Sequence, residues 1–105
     1  MKKMKGKIKM DKQQYYIIRA KDAGVFFGHI KERNGDEIVL TDCRRIWYWK
    51  GAASLSQLAT EGVKDQRLSK FTVIVPEITV LGVIEIIPCS DKAVDSIQGV
   101  PVWRA

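Results

Sequence analysis

Residues 24–49 read Gly24-Val25-Phe26-Phe27-Gly28-His29-Ile30-Lys31-Glu32-Arg33-Asn34-Gly35-Asp36-Glu37-Ile38-Val39-Leu40-Thr41-Asp42-Cys43-Arg44-Arg45-Ile46-Trp47-Tyr48-Trp49. The Asn34-Gly35 pair near the centre decides how this stretch folds. Asn-Gly between two β-rich arms is the strongest short-range hairpin signal, because a type I′ turn requires positive φ at both central positions. With that turn, Arg33 lies opposite Asp36, Ile30 opposite Val39, Gly28 opposite Thr41 and Phe26 opposite Cys43. Phe26, Ile30, Val39 and Cys43 then share one face, continued by Arg45, Trp47 and Trp49. Val25, Phe27, His29, Ile38, Leu40, Asp42, Arg44, Ile46 and Tyr48 share the other. Both faces are largely apolar, so either further elements cover both or one is left as a binding surface.

Before the hairpin, Tyr15 to Arg19 is a run of strand-favouring residues closed by Lys21-Asp22 and Gly24. After it, Lys50-Gly51-Ala52-Ala53 breaks the strand. Ser54 then fits a helix N-cap, with Gln57 three residues later as in a capping box. Leu55, Leu58 and Ala59 form the apolar stripe of this short helix, and Gly62 suits its end. Lys64 to Lys70 is polar and reads as a loop. Phe71 to Val75 returns to strand chemistry, with Pro76 ending the run or sitting at an edge. Ile78 to Ile87 is almost wholly apolar and reads as one long strand bent at Gly82. Ser90 or Asp91 can cap a second helix that turns Ala93, Val94 and Ile97 inward and stops at Gly99 and Pro101, leaving Val102-Trp103 as a candidate edge strand. The expected fold class is α+β: a small, largely antiparallel sheet with a central hairpin and two short helices.

A chain of 105 residues, 46% hydrophobic, is long enough for one domain with its own core and short for two. The net charge of +6 is unevenly placed, since six lysines and one aspartate fall within residues 1–12 and leave +1 for the rest. The expectation is a flexible basic arm over 1–12 and a single α+β domain over 13–105. Such an arm can speed encounter with a polyanion, nucleic acid included, without conferring specificity. No apolar run reaches the roughly 18–20 residues of a membrane span, and the first ten residues lack the apolar centre of a signal peptide, which points to a cytoplasmic protein. Cys43 and Cys89 are then expected as free thiols. With His29 the one histidine, neither a structural metal site nor a bound cofactor is expected.

Residues 43–49 concentrate three of the chain's nine aromatics and two guanidinium groups. Indoles and Arg dominate recognition hot spots because they bury much area while keeping a polar handle. Arg44, Arg45, Trp47 and Trp49 are therefore candidate partner-binding residues, with Phe27 and Tyr48 as candidates on the other face. The same residues could stack bases and hold phosphates, grip a protein, or simply pack in the core with the arginines paired to Asp42 or another carboxylate. No catalytic set emerges. A Cys43–His29 dyad conflicts with the hairpin register, Gly24 to Gly28 lacks the pattern of a phosphate loop, and Glu37 and Asp42 leave opposite faces.

The runs Gly24 to Gly28, Cys43 to Trp49, Gly51 to Ala59 and Ile84 to Cys89 resemble a family of small, mostly uncharacterised phage and prophage proteins, over roughly residues 15–103. That family supplies no catalytic residue to carry over. The resemblance implies a context: small phage accessory proteins are often inhibitors of bacterial defence, including anti-CRISPR proteins that bind a nuclease effector or its guide RNA complex. The expected function is a non-enzymatic, phage-type inhibitor of a host defence complex, with a type II CRISPR nuclease as the candidate protein partner, acting in the bacterial host cytoplasm. The alternatives are a nucleic-acid-binding module and a sponge for a small anionic nucleotide signal.

Overall fold

The computed structural model describes residues 14–105, so the expected basic arm over 1–12 lies outside the described residues. Strands β2 (Gly24–Asn34) and β3 (Glu37–Tyr48) form the central antiparallel hairpin. Its turn sits one residue later than the sequence suggests. Asn34 pairs with Glu37, which leaves Gly35 and Asp36 as the two loop residues. Gly35 takes φ +65°, whereas the single non-glycine residue at positive φ among those described is Asp42. A turn with glycine first needs only one left-handed residue, and glycine adopts it without a Cβ clash.

The pairing consequently differs from the expected one: Glu32 faces Val39, His29 faces Thr41 and Phe26 faces Arg45. Two irregularities interrupt the ladder, between Phe27 and His29 and between Ile30 and Glu32. The first places Asp42 and Cys43 against Gly28, with Asp42 at φ +48° as the bulged residue. A Cβ on Gly28 would lie 3.0 Å from the Thr41 carbonyl oxygen and 3.2 Å from Cys43 Cα, so the bulge closes only over glycine. Between the two bulges the strands slip by one residue and Ile30 meets Leu40. A one-residue slip exchanges faces. Ile38 and Leu40 therefore join Phe26, Ile30 and Cys43 in one buried cluster, against the sequence-based sorting.

Strand β1 (Tyr16–Ala20) pairs with β2 and, on its other side, with β6 (Val83–Pro88). Strand β5 (Val75–Val80) lies along the first part of β3 and the two-residue β4 (Lys70–Phe71) along its end. All the ladders are antiparallel, and with the two helices the fold is α+β. Pro76 sits in the edge strand β5, where a missing donor is tolerated. The expected single strand over Ile78–Ile87 is instead two, β5 and β6, at opposite margins of the order β5-β3-β2-β1-β6.

Only Leu81 and Gly82 join those margins. Three Cα–Cα steps span at most about 11 Å, whereas four strand spacings in a flat sheet cover about 19 Å. The sheet therefore curls until its margins meet. Backbone bonds from Lys21 N–H to the Gly82 carbonyl, 2.8 Å, and from Val83 N–H to the Asp36 carbonyl, 2.9 Å, hold that corner.

Curling produces two cores. Ile18, Ala20, Phe26, Ile30, Ile38, Leu40, Cys43 and Val80 fill one side of the sheet. On the other side, helices α1 (Leu55–Glu61) and α2 (Asp91–Gln98) press Leu58, Ala59, Ala93 and Ile97 against Ile17, Phe27, Ile46 and Phe71. Both helices start where the sequence places them, at Ser54 and Ser90, whose hydroxyl oxygens accept from Gln57 N–H at 3.1 Å and Ala93 N–H at 3.0 Å. Both sides of the hairpin are thus covered along most of its length, and the Lys64–Lys70 loop carries a single 3₁₀ turn, Gln66–Leu68.

Candidate recognition surface

Arg44 and Arg45 are neighbours on β3 and meet opposite fates. Phe27 pairs with Arg44 and Phe26 with Arg45, so the two guanidinium groups leave opposite sides of the sheet. Arg44 enters the helix side and is 3% exposed. Its Nε donates to the Thr72 carbonyl at 3.1 Å, Nη1 to those of Ile97 and Val100 at 3.2 and 3.1 Å, and Nη2 to that of Phe71 at 3.3 Å. Burial pushes its pKa down from the ordinary value, and four carbonyl dipoles offset the lost hydration. Arg44 is thus a structural residue here, not a contact one. Phe27, 1% exposed and stacked on Tyr15 at 4.5 Å, is likewise interior.

Arg45 emerges on the other side, with its Cζ 4.7 Å above the Phe26 ring centroid. Its backbone N–H donates to Thr72 Oγ1 at 2.9 Å, and Thr72 N–H returns a bond to the Arg45 carbonyl at 3.0 Å. Trp47, two residues on, is 63% exposed. An indole this open is uncommon, because so large an apolar ring usually finds cover. Beside it lies Trp103, brought back by a parallel bridge between Phe71 and Val102 and by a 2.9 Å bond from Trp103 N–H to the Phe71 carbonyl. The two rings are 6.1 Å apart and within 16° of parallel, and Lys70 Nζ lies 5.5 Å from the Trp103 centroid. Among the described residues the ion pairs are Arg19–Glu85 and Lys31–Glu77, so neither Arg45 nor Lys70 is neutralised by a carboxylate.

Of the six expected contact residues, Arg45 and Trp47 therefore share this surface, and Tyr48, opposite Lys70 in the ladder, is exposed close by. Trp49 lies past the end of β3 and packs partly buried against the helix-side core, not on the Phe26 face, because a register shift between Ile46 and Tyr48 ends the simple alternation. Lys70 and Trp103 escaped the sequence reading. The one available signal was an unaccompanied indole in a short terminal run after Pro101.

Arg45 also borders an open groove of about 400 Å³, lined with Asp22, Phe26, Ile78, Leu81 and Gly82 among others. The two cysteines are buried free thiols, each pushed up to about 12 by desolvation. Cys43 belongs to the inner core, whereas His29 lies against Tyr15 and donates from Nδ1 to the Gln14 carbonyl at 2.8 Å. Among the described residues no three His, Cys, Asp or Glu side chains come together as a metal site, and no helix is long and apolar enough to cross a membrane.

Compared with known proteins, residues 13–97 match a family model described as a domain of unknown function (DUF6948). That stretch contains Arg45, Trp47 and Lys70 and ends before Trp103. No curated protein and no solved structure matches the chain.

Proposed function

We propose that this chain, which belongs to the DUF6948 family of domains of unknown function, is a non-enzymatic binding domain that recognises its partner through Arg45, Trp47, Lys70 and Trp103. The observation that carries the reading is the exposed, near-parallel indole pair flanked by two cations without carboxylates. Recognition hot spots favour Trp and Arg, and a fold that buries all three phenylalanine rings leaves these indoles open. Burial of both thiols, with their pKa pushed up, and the placement of His29 against Tyr15 and Gln14 and outside Cys43's cluster support a role without covalent chemistry.

The phage likeness of the sequence points to the class of partner: a bacterial defence complex, with a type II CRISPR nuclease as the first to test, inhibited in the host cytoplasm by occlusion of a functional surface. The test is guide-directed DNA cleavage with the purified nuclease in the presence of the full chain. Inhibition should be lost in Trp47→Ala and retained in Lys31→Ala, whose ion pair lies elsewhere. An absence of inhibition, or inhibition untouched by Trp47→Ala, removes this reading.

The groove beside Arg45 favours a second reading, a sponge for a small anionic nucleotide, since its volume suits such a ligand. Asp22 on the same wall opposes an anion and makes it the weaker of the two. Calorimetric titration with cyclic dinucleotides, comparing the native chain with Arg45→Ala, separates it from the first.

A further inference from the structure

We infer that the ligand chemistry read by the Trp47–Trp103 face is an unpaired, single-stranded stretch of nucleic acid, an inference that rests on the proposal that this face is the recognition surface. Three features carry it. The rings are nearly parallel and both are roughly half exposed, 63% for Trp47 and 43% for Trp103, so the pair leaves aromatic surface, most of it on Trp47, against which a base can stack. The cations beside them, Lys70 over Trp103 and Arg45 two residues before Trp47, have no carboxylate within ion-pair distance among the described residues. Lys70 is placed to hold a phosphate next to a base stacked on the pair, and Arg45 adds positive charge on the same strand as Trp47. Lys50 and Arg104 are exposed and follow Trp49 and Trp103 directly in the chain, which adds positive charge to the same end of a body that is otherwise close to neutral.

Duplex fits poorly. Its bases are stacked on one another and cannot lie on an indole without being extruded. An acidic peptide would use the cations but leave the indoles without a stacking partner. A flat aromatic platform with neighbouring unpaired cations matches a polyanion whose repeating unit carries its own ring.

The test uses the full chain and fluorescence anisotropy of a labelled 20-nucleotide oligothymidine, a 20-base-pair duplex and a labelled glutamate-rich peptide. The expected result is preference for the oligothymidine, weakened about 5- to 100-fold by Trp47→Ala or Trp103→Ala and largely restored by Trp47→Phe. Lys70→Ala should shallow the slope of log affinity against log salt by about 0.7. Circular dichroism confirms that each variant is folded. Oligothymidine binding unaffected by both tryptophan substitutions, tighter binding to the duplex, or Trp47-dependent binding of the peptide in its place overturns the inference. Nuclease inhibition that needs Trp47 without such oligonucleotide binding leaves the proposed function standing and removes only the ligand class. Trp47-dependent oligonucleotide binding without nuclease inhibition does the reverse.

Discussion

The Arg44 guanidinium reaches from the middle of the sheet to the end of α2, where Nη1 donates to the Ile97 carbonyl at 3.2 Å. Ile97 lies in the last turn of that helix, and the Val100 carbonyl just beyond accepts from the same nitrogen at 3.1 Å. A cation at a helix C-terminus meets carbonyls without intrahelical donors and the negative end of the helix dipole. One side chain therefore binds α2, β3 and the Phe71–Thr72 backbone together.

Replacing Arg44 should be costly. Arg44→Ala removes the side-chain donor of the Thr72 and Val100 carbonyls, at about 1–3 kcal/mol for each that water does not reach, while the Phe71 and Ile97 carbonyls keep the Trp103 and Val100 N–H groups. A net loss of about 3 kcal/mol or more is expected, seen in chemical denaturation as a lower midpoint with an unchanged slope. Arg44→Lys should recover less than half of it, since an ammonium cannot reproduce the planar fork.

Trp47→Ala should leave stability within about 1 kcal/mol of the native chain, because little of the ring's surface is buried. A double-mutant cycle with Trp103→Ala should give a coupling of about 0.5–1.5 kcal/mol for the ring pair. The near-ultraviolet circular dichroism of the stacked indoles should vanish in either single variant.

Alkaline pH should destabilise the fold through its thiols. Both cysteines are raised from the ordinary value of 9.0 to about 12 when folded. Above pH 9 the unfolded chain releases these protons while the folded chain keeps them, so unfolding is favoured as pH rises toward 12. The limiting slope is about 1.4 kcal/mol per pH unit for each thiol. Melting temperatures at pH 7.5 and 10.5 should differ less in a Cys43→Ala, Cys89→Ala double variant. Native protein at pH 8 should also resist alkylation until denaturant is added.

Gly28→Ala should destabilise by about 1–3 kcal/mol, since the added Cβ meets backbone atoms of Thr41 and Cys43 that cannot swing away. Thermal unfolding checks this. The matching change at Gly24, where a Cβ would meet nothing within 4 Å, tests backbone conformation alone, because φ there is +101°.

Local signals in the sequence were read well where a few neighbouring residues settle the outcome. Ser54 and Ser90 cap helices because their hydroxyls reach amides three residues away, and Gly35 marks a hairpin because it tolerates positive φ. The α+β class followed from those elements. The surface was only partly legible: Arg45 and Trp47 were identified as candidates, and so were Arg44 and Phe27, which are buried. Composition cannot separate two adjacent arginines, since the side of the sheet each one leaves depends on what packs there.

The amino-acid sequence alone thus determined the hairpin and the two capped helices, each set by interactions within a few residues. Tertiary structure decided the rest. Bulges at Asp42 and Lys31 sorted Ile38 and Leu40 to the inner core, and the short Leu81-Gly82 link forced the sheet to curl. Docking of the terminal segment on Phe71 brought Trp103 to Trp47 across 56 positions of chain. Such pairings depend on how the whole sheet closes and packs, and no short window of sequence encodes that geometry.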